Sequence, residues 1–235
     1  MSDPHIFVEG FKALVIGATG TIGQAFCEAL SNDTKCQSVT RLSRSLNSGF
    51  DLELPESFPE IVENLASAGP FDLVIDATGV LVIDGQGPEK TLRALDPLQL
   101  ERYFKINATG PLLFLKALEP HLASGSPCYA KLSARVGSIS DNRLGGWYGY
   151  RASKAALNMM LQTAAIELQR KRPGMRVIAL QPGTVISPLS SPFTHHRHDV
   201  IDAKIAVRGL MQAIMSMPDG PGAHFLDYQT HSIPW

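Results

Sequence analysis

Apolar and polar positions along the chain follow two alternating patterns. Short, largely apolar runs bounded by turn residues predict strands at residues 13–16, 38–42, 71–77, 129–133, 176–180 and 224–226. A helical pattern follows the first run, and others cover residues 96–122, 152–170 and 203–217. This alternation predicts an α/β fold, a doubly wound parallel sheet with helices on both faces in three α/β/α layers.

The helical segment at residues 96–122 has a clear start and an internal irregularity. Asp96 is a predicted N-cap, Pro97 suits the first turn, and Gln99 can reach back toward the cap. Around Asn107 the pattern is interrupted before it resumes toward Leu122. We therefore expect a distortion of the helix at Asn107.

Length and charge restrict the class of protein. A chain of 235 residues suits a single domain of this fold, and 44% hydrophobic with 18% charged residues is ordinary for a soluble globular protein. The net charge of −1 and the lack of long lysine or arginine runs argue against nucleic acid or an acidic membrane surface as the main partner. We expect residues 1–235 to form one domain.

The cysteines and the N-terminus indicate a compartment. Cys27, Cys36 and Cys128 are odd in number and lack CxxC spacing, which argues against a disulfide framework and a cysteine-based zinc site. Residues 1–10 lack an apolar signal-peptide core, and no apolar stretch is long enough to span a bilayer. These features predict a cytoplasmic protein with reduced thiols.

A glycine-rich turn joins the first predicted strand to the first helix. The sequence at this junction is Gly17-Ala18-Thr19-Gly20-Thr21-Ile22-Gly23. Glycine lets the backbone turn tightly and approach a pyrophosphate, and the helix N-terminus offers free N–H groups to the phosphates. An ordinary strand–helix turn could carry the same glycines, but the strand–turn–helix context favours dinucleotide binding.

The end of the second predicted strand carries cations where many dinucleotide folds carry an acid. About 20 residues after the last glycine, an acidic residue commonly holds the adenosine ribose. Arg41, Ser43 and Arg44 occupy this region instead. Because a guanidinium can bind a phosphate through two parallel hydrogen bonds, we expect NADP(H) to be preferred over NAD(H). The alternative is two solvated arginines on a loop.

Tyr150 and Lys154 are four residues apart at the start of a predicted helix, so their side chains lie on one face. A nearby ammonium favours the phenolate, and we expect Lys154 to lower the pKa of Tyr150 from its ordinary value of about 10. Such a tyrosine can donate a proton to a carbonyl oxygen or accept one from an alcohol. Tyr148 competes for this role, but Ala152 occupies the position of its lysine.

These motifs, in this order, resemble the short-chain dehydrogenase/reductase family from end to end. The likeness rests on the glycine turn, Asp51-Leu52, Asp76-Ala77-Thr78-Gly79, Ile106-Asn107-Ala108-Thr109-Gly110, Tyr150 with Lys154, and Pro182-Gly183-Thr184-Val185. Residues 135–142, 145–154 and 233–235 also resemble the C-factor-like and sniffer-like carbonyl reductases. The resemblance implies a Rossmann sheet and reversible carbonyl reduction with NADP(H). It also makes the runs at 71–77, 129–133 and 176–180 the fourth, fifth and sixth strands.

The resemblance implies a role for each matching residue. Tyr150 is the expected acid/base, Lys154 its pKa-lowering partner and a ligand of the nicotinamide ribose, and Asn107 the holder of a relay water. Asn107 could also satisfy backbone groups at the helix distortion, and the two roles are compatible. The other expected cofactor contacts are Asp51 and Leu52 near the adenine, Ala77, Thr78 and Gly79 after their strand, and Pro182, Gly183, Thr184, Val185 and Ser187 at the nicotinamide. For Asp51, a turn-stabilising role is an equal alternative.

Two positions depart from the family pattern. The family's glycines usually follow GxxxGxG, whereas here the middle glycine is displaced to Gly20 and Thr21 fills its place. The family's catalytic serine is normally the second of a Ser-Ser pair, whereas here the pair is Ser133-Ala134. Strand side chains alternate between faces, so we expect Ser133 to point away from the substrate. Ser138 is the candidate replacement for the missing hydroxyl.

The histidine-rich stretch and the missing serine leave two alternatives open. His195, His196 and His198 could suggest a metal, but no acidic or cysteine partner stands at a recognised spacing, so we expect a solvated loop and no metal site. Ala134 favours a rival function, a dinucleotide-binding sensor or signalling protein with vestigial catalysis, while Tyr150 and Lys154 favour an enzyme. The expected substrate is a small or medium carbonyl compound or alcohol, and a homodimer is a further possibility.

Overall fold

Eight strands and six α-helices make up the part of the chain described by the computed structural model, residues 7–187 and 200–235. In chain order, the strands β1–β8 span Phe11–Ile16, Cys36–Leu42, Leu73–Asp76, Cys128–Leu132, Arg176–Gln181, Thr184–Val185, Val200–Ile201 and His224–Asp227. The helices α1–α6 span Thr21–Ser31, Phe58–Leu65, Pro97–Phe104, Gly110–Leu118, Tyr148–Lys171 and Ala203–Met215. The histidines at 195, 196 and 198 lie outside the described residues.

Six strands pair in parallel in the order β2-β1-β3-β4-β5-β8, and β6 pairs separately with β7. The chain leaves β1 toward β2 and then returns to the other side of β1 as β3. At such a reversal of strand order, the loops at the carboxyl ends of the strands separate and leave a crevice. The glycine turn that follows β1 is therefore at the position where this class of sheet binds ligands.

Two apolar cores cover the two faces of the sheet, which confirms the predicted three-layer arrangement. Leu14 and Ile16 of β1 face a core shared with α2, α4 and α5, whereas Ala13 and Val15 face a core shared with α1 and α6. Strands buried on both faces read as continuous apolar runs, because successive side chains both need apolar surroundings. This explains why β3 and β4 were visible in the sequence.

Several predicted elements need correction. The strands that the family pattern numbered fourth, fifth and sixth are β3, β4 and β5, because the segment between β2 and β3 contains helix α2 and no strand. The helix predicted at residues 152–170 begins four residues earlier, at Tyr148. Its N-cap, Trp147, has a left-handed backbone with φ of 53°, a conformation that the apolar pattern does not reveal.

The predicted distortion at Asn107 is present. A single π-helical turn, Lys105–Thr109, separates α3 from α4, and Pro111 opens the first turn of α4. Asp96 caps α3 as predicted, through a hydrogen bond from the amide of Gln99 at 2.8 Å. π-helical turns of this kind are frequent at functional sites.

No helix in the described part of the chain is both long enough and apolar enough to cross a membrane.

Candidate active site

The glycine turn after β1 shows why glycine is needed there. Gly17 has φ of 78°, and its backbone packs against Ala77 and Thr78 at the end of β3. A Cβ on Gly23 would overlap the carbonyl of Gly17, so a larger residue would push α1 away from the turn. Gly20 caps α1 with its backbone alone, which leaves the N-terminal amides of the helix facing the crevice.

A cleft of about 430 Å³ opens beside this turn. We call it the glycine-turn cleft, and its lining residues are Gly17, Thr19, Gly20, Ser43, Arg44, Ser45, Phe50, Asp51, Leu52, Ala77, Thr78, Gly79, Val80 and Ile106. Half of the residues predicted from the sequence to bind a dinucleotide are therefore together in one crevice. Ser45, Phe50 and Val80 are additions that the sequence analysis did not single out, and Ile106 appeared there only as part of its motif.

The end of β2 supplies a cation and a group of hydroxyls to this cleft. The guanidinium of Arg44 is mostly exposed and lies 3.7 Å from the Asp51 carboxylate. The hydroxyl of Ser45 lies 3.2 Å from the hydroxyls of Ser43 and Thr19, so it connects the loop after β2 to the glycine turn. Asp51 also accepts the amide of Glu53 at 2.9 Å, so it lines the cleft and stabilises a turn at the same time.

Arg41 does not line the glycine-turn cleft. Its guanidinium lies beside the thiol of Cys27 on α1, where it partly offsets the burial that raises the pKa of that thiol. Alternation along β2 turns Arg41 toward α1 and away from the crevice. Of the two arginines predicted to select the cofactor, the structure puts Arg44 at the cleft.

Asn107 fixes the backbone at the far end of the cleft. Its side chain exchanges two hydrogen bonds with Val80, accepting the amide at 2.8 Å and donating to the carbonyl at 3.0 Å. Its amide also reaches the hydroxyl of Ser153 on α5 at 3.3 Å. Asn107 thus satisfies backbone groups of Val80, and not the backbone groups of the helix distortion that the sequence analysis named, and it ties the loop after β3 to α5.

Tyr150 and Lys154 share one face of the first turns of α5. The Lys154 ammonium lies 5.9 Å from the centre of the Tyr150 ring and donates to the carbonyl of Leu132 at 3.2 Å. Tyr103 and Trp147 contact the Tyr150 ring edge-on. These rings hold the phenol in position at the wall of a second cavity.

The electrostatics of this pair are opposite to the prediction. Burial raises the pKa of Tyr150 well above its ordinary value, and Tyr103 adds to the effect. Burial also lowers the pKa of Lys154, and the nearby ammonium of Lys131 lowers it further. The prediction that Lys154 lowers the tyrosine pKa is wrong, because burial of the phenol itself is the dominant effect.

The second cavity has a volume of about 350 Å³, and we call it the tyrosine cavity. It is lined by Ile22, Leu81, Ser133, Ala134, Arg135, Val136, Asp141, Arg143, Leu144, Trp147, Tyr150, Arg151, Gln181, Pro182, Gly183, Thr184, Val185 and Ser187. The segment after β5 therefore lies beside Tyr150, as the motif predicted. Thr21, Gly23, Asn107, Ser138 and Lys154 belong to neither lining.

The position of the missing serine is at the wall of the tyrosine cavity. Ala134 lines it without a hydroxyl, and the hydroxyl of Ser133 is directed to Asn158 of α5, to which it donates at 2.6 Å. Ser138 is buried and its hydroxyl accepts the amide of Asp141 at 3.1 Å. In this arrangement Ser138 stabilises the turn that leads to Asp141.

A buried ion pair that the sequence analysis missed supports the whole edge. Asp76 of β3 and Lys131 of β4 are register partners, and their charged atoms lie 3.0 Å apart without solvent exposure. Tyr129 donates to the other Asp76 oxygen at 2.9 Å. Lys131 also donates to the carbonyl of Thr78 at 2.6 Å. Burial lowers the pKa of Lys131, and the Asp76 carboxylate opposes that fall.

The ion pair helps to position the residues that follow β3, and these residues contact Asn107 and Lys154. A Cβ on Gly79 would lie 3.2 Å from both the Asn107 side-chain oxygen and the Lys154 ammonium. The backbone after Thr78 is therefore held between Lys131 on one side and the Asn107–Lys154 pair on the other. Lys131 positions this backbone without lining either cavity.

Comparison with known proteins gives a family and several relatives. The model of the short chain dehydrogenase family matches residues 12–198. The chain is 33% identical to the C-signal protein of Myxococcus xanthus, over 71% of this chain and 94% of that one. It is 31% identical to 1-hydroxy-2-glutathionyl-2-methyl-3-butene dehydrogenase of a Rhodococcus species, over 80% of this chain and 79% of that one.

Solved structures share the fold. The NADPH-bound carbonyl reductase from chicken fatty liver superposes with a TM-score of 0.80 at 20% identity, covering 97% of this chain and 96% of that one. Carbonyl reductase Sniffer of D. melanogaster gives a TM-score of 0.79 at 17% identity, covering 97% and 100%.

The Asp76–Lys131 pair yields a stability prediction. Asp76→Asn or Lys131→Met leaves one buried charge without its partner, so each should lower the free energy of unfolding by about 3–5 kcal/mol. The double variant leaves no unpaired charge and should lose less stability than the sum of the two single losses.

Lys171→Met, which breaks the exposed pair with Glu167, is the matched control and should change stability by about 0.5 kcal/mol or less. Urea unfolding followed by circular dichroism measures all four, and a loss in Lys131→Met no larger than in Lys171→Met would contradict the account.

Proposed function

The chain belongs to the short-chain dehydrogenase family of oxidoreductases, and we propose that it interconverts a carbonyl and an alcohol on a small or medium organic substrate with NADP(H). The observation that carries the proposal is Tyr150, which lines the tyrosine cavity at the same sheet edge as the glycine-turn cleft. The carbonyl reductase from chicken fatty liver, which shares this fold, binds NADPH, and we extend that cofactor to this chain.

The residues present fit a phosphorylated dinucleotide. The glycine turn leaves no Cβ to block a pyrophosphate at the N-terminus of α1. Arg44 and the hydroxyls of Ser43 and Ser45 offer a cation and donors where an additional phosphate would lie. We assign the pyrophosphate to Gly17, Thr19, Gly20, Thr21, Ile22 and Gly23, the adenine side to Asp51 and Leu52, and the nicotinamide side to Ala77, Thr78, Gly79, Lys154, Pro182, Gly183, Thr184, Val185 and Ser187.

When bound, NADPH supplies the hydride for the carbonyl carbon. In the proposed mechanism Tyr150 donates its proton to the carbonyl oxygen, on which negative charge develops. Burial raises the pKa of Tyr150, so the phenol carries the proton that this step requires. The phenol must then recover a proton. We propose that it does so through Lys154, on the same face of α5, and Asn107, in the neighbouring π-helical turn.

A signalling function is the second candidate. Ala134 leaves the tyrosine cavity without the hydroxyl that the family normally supplies, and one relative is named C-signal. Under this alternative the protein binds dinucleotide and turns over little or no substrate. Carbonyl-dependent NADPH consumption that requires Tyr150 distinguishes an enzyme from such a protein.

Three broader expectations stay proposals. Residues 1–235 act as one domain, because one six-stranded sheet carries both cavities. The three thiols are free, which suits the reducing cytoplasm. A homodimer is the oligomer that we propose to look for first, because twofold dimers are the commonest soluble oligomers.

Cofactor selection depends on Arg44 in this proposal. NADPH should bind more tightly than NADH, and Arg44→Ala should lower that preference by about tenfold, the usual effect of losing one charge-assisted hydrogen-bonded contact. Arg93→Ala removes an exposed arginine outside both linings and should change nothing. Calorimetric titration of both dinucleotides decides it, and equal affinities in the unaltered protein would refute the assignment.

Turnover depends on the Tyr150 hydroxyl. Tyr150→Phe should lower kcat by a factor of about 100 or more while NADPH binding persists, because only the general acid is removed. Tyr148→Phe removes a hydroxyl from the same helical turn and is the control. NADPH oxidation with a panel of ketones and aldehydes measures the effect. If Tyr150→Phe retains the unaltered rate, another residue is the acid.

The missing hydroxyl at Ala134 predicts a gain of activity. Ala134→Ser restores a donor at the cavity wall, where one such donor can be worth up to about 3 kcal/mol of transition-state stabilisation, so kcat should rise. Ser138→Ala tests the competing prediction that Ser138 already supplies this donor. No gain in Ala134→Ser, together with a loss in Ser138→Ala, would assign the role to Ser138.

A further inference from the structure

The charged residues of the tyrosine cavity are unevenly matched. Its lining contains three arginines, Arg135, Arg143 and Arg151, and a single acid, Asp141. Arg135 is already engaged, since its guanidinium lies 3.5 Å from Asp141 and 3.4 Å from Asp227. The other two arginines have no carboxylate at ion-pair distance among the residues that the structure describes. The cavity that contains the phenol of Tyr150 therefore carries an excess of positive charge.

Arg151 is held in place by neutral acceptors. It follows Tyr150 on α5, and its guanidinium donates to the carbonyl of Gly146 at 3.0 Å and to that of Val136 at 3.4 Å. Both bonds fix the guanidinium plane without neutralising its charge. Donors that remain free on a fixed guanidinium can bind an oxyanion with little loss of side-chain entropy.

Arg143 supplies a second cation from the loop that precedes α5. Its guanidinium donates to the carbonyl of Asn142 at 3.3 Å and is otherwise exposed at the cavity wall. The adjoining Leu144 is exposed by 91%, so this loop presents an apolar side chain and a cation together. An apolar ligand with one charged end would satisfy both.

Much of the remaining wall is apolar. Leu81, Val136, Leu144, Trp147 and Val185 contribute to it, beside the polar side chains of Ser133, Gln181, Thr184 and Ser187. These apolar side chains suit the body of an organic substrate.

We infer that the substrate is a carbonyl compound with an apolar body and a carboxylate group, which Arg151 and Arg143 bind while Tyr150 faces the carbonyl. This inference rests on the proposed carbonyl reduction and specifies its substrate class. A planar carboxylate matches the fork of a guanidinium through two parallel hydrogen bonds, which explains why arginines rather than lysines are present. Asp141 remains paired with Arg135 at the edge of the same wall.

Matched acids and esters test the inference. The test uses three oxo acids that differ in the distance between the carbonyl and the carboxylate: 4-oxopentanoate, 6-oxoheptanoate and 4-acetylbenzoate. Each acid is compared with its methyl ester as a substrate for NADPH-dependent reduction. For at least one pair, kcat/KM should be about tenfold or more higher for the acid, mainly through KM, as expected for one charge-assisted contact. Esters that are reduced as well as their acids at every length would overturn the inference and leave the proposed reduction intact.

Variants assign the effect to the two arginines. Arg143→Gln and Arg151→Gln should each lower the acid-to-ester ratio of kcat/KM by about tenfold. Because Arg151 also braces two carbonyls, Arg151→Lys, which retains the charge without the fork, is tested beside it and should recover part of the ratio. Arg93→Gln is the matched control and should leave the ratio unchanged. Unchanged ratios in Arg143→Gln and all Arg151 variants would refute the site.

A binding measurement separates this inference from the proposed function. Calorimetry with the protein and NADP⁺ compares 4-acetylbenzoate with its methyl ester, without any need for turnover. Tighter binding of the acid that is lost in Arg143→Gln supports the anion site even if no carbonyl is reduced, which would refute only the reductase activity. Equal binding of acid and ester would refute the anion site.

Discussion

The buried ion pair between Asp76 and Lys131 is the constraint on which the catalytic edge of the sheet depends. It joins β3 and β4 at matched register positions where both strands end, in a layer that is otherwise filled by apolar side chains. Charges buried this deeply are tolerated only when every polar atom is satisfied. Here Thr78 and Tyr129 complete the set. The requirement fixes the backbone at Thr78, and from there Gly79 and Val80 are fixed against Asn107 and Lys154.

The same burial determines the chemistry that we propose for Tyr150. A phenol removed from water holds its proton more tightly, and the nearest ammonium groups do not reverse this because they are themselves desolvated and close to one another. Such a tyrosine is a proton donor at neutral pH. Arg143 and Arg151 of the same cavity have no carboxylate partner in residues 7–187 and 200–235, and we relate their charge to a charged substrate.

The sequence predicted the features that depend on local spacing. The parallel sheet, the glycine turn, the distortion at Asn107 and the position of Tyr150 on a helix follow from periodicity or from short motifs. Helix α2 was missed because its eight residues give too brief a pattern. Arg41 was assigned to the cleft because spacing along the chain does not state which face of an edge strand a side chain occupies.

Other features depend on residues far apart in the chain. The Ser45–Thr19 bridge and the Asp76–Lys131 pair join segments separated by 26 and 55 residues. The direction of the Tyr150 pKa shift follows from burial by Tyr103 and Trp147, which a four-residue spacing to Lys154 cannot reveal. The unequal charges of the tyrosine cavity likewise arise only when the loop at residues 135–147 folds over α5.

The most direct test of carbonyl reduction uses NADPH in which both hydrogens at C4 of the nicotinamide ring are replaced by deuterium. The protein is incubated with this cofactor and the panel of oxo acids and esters, and the products are examined by mass spectrometry and NMR. The account predicts an alcohol that carries deuterium on its carbinol carbon. Tight binding of NADPH with no alcohol formed from any carbonyl, or an alcohol without deuterium, would contradict it.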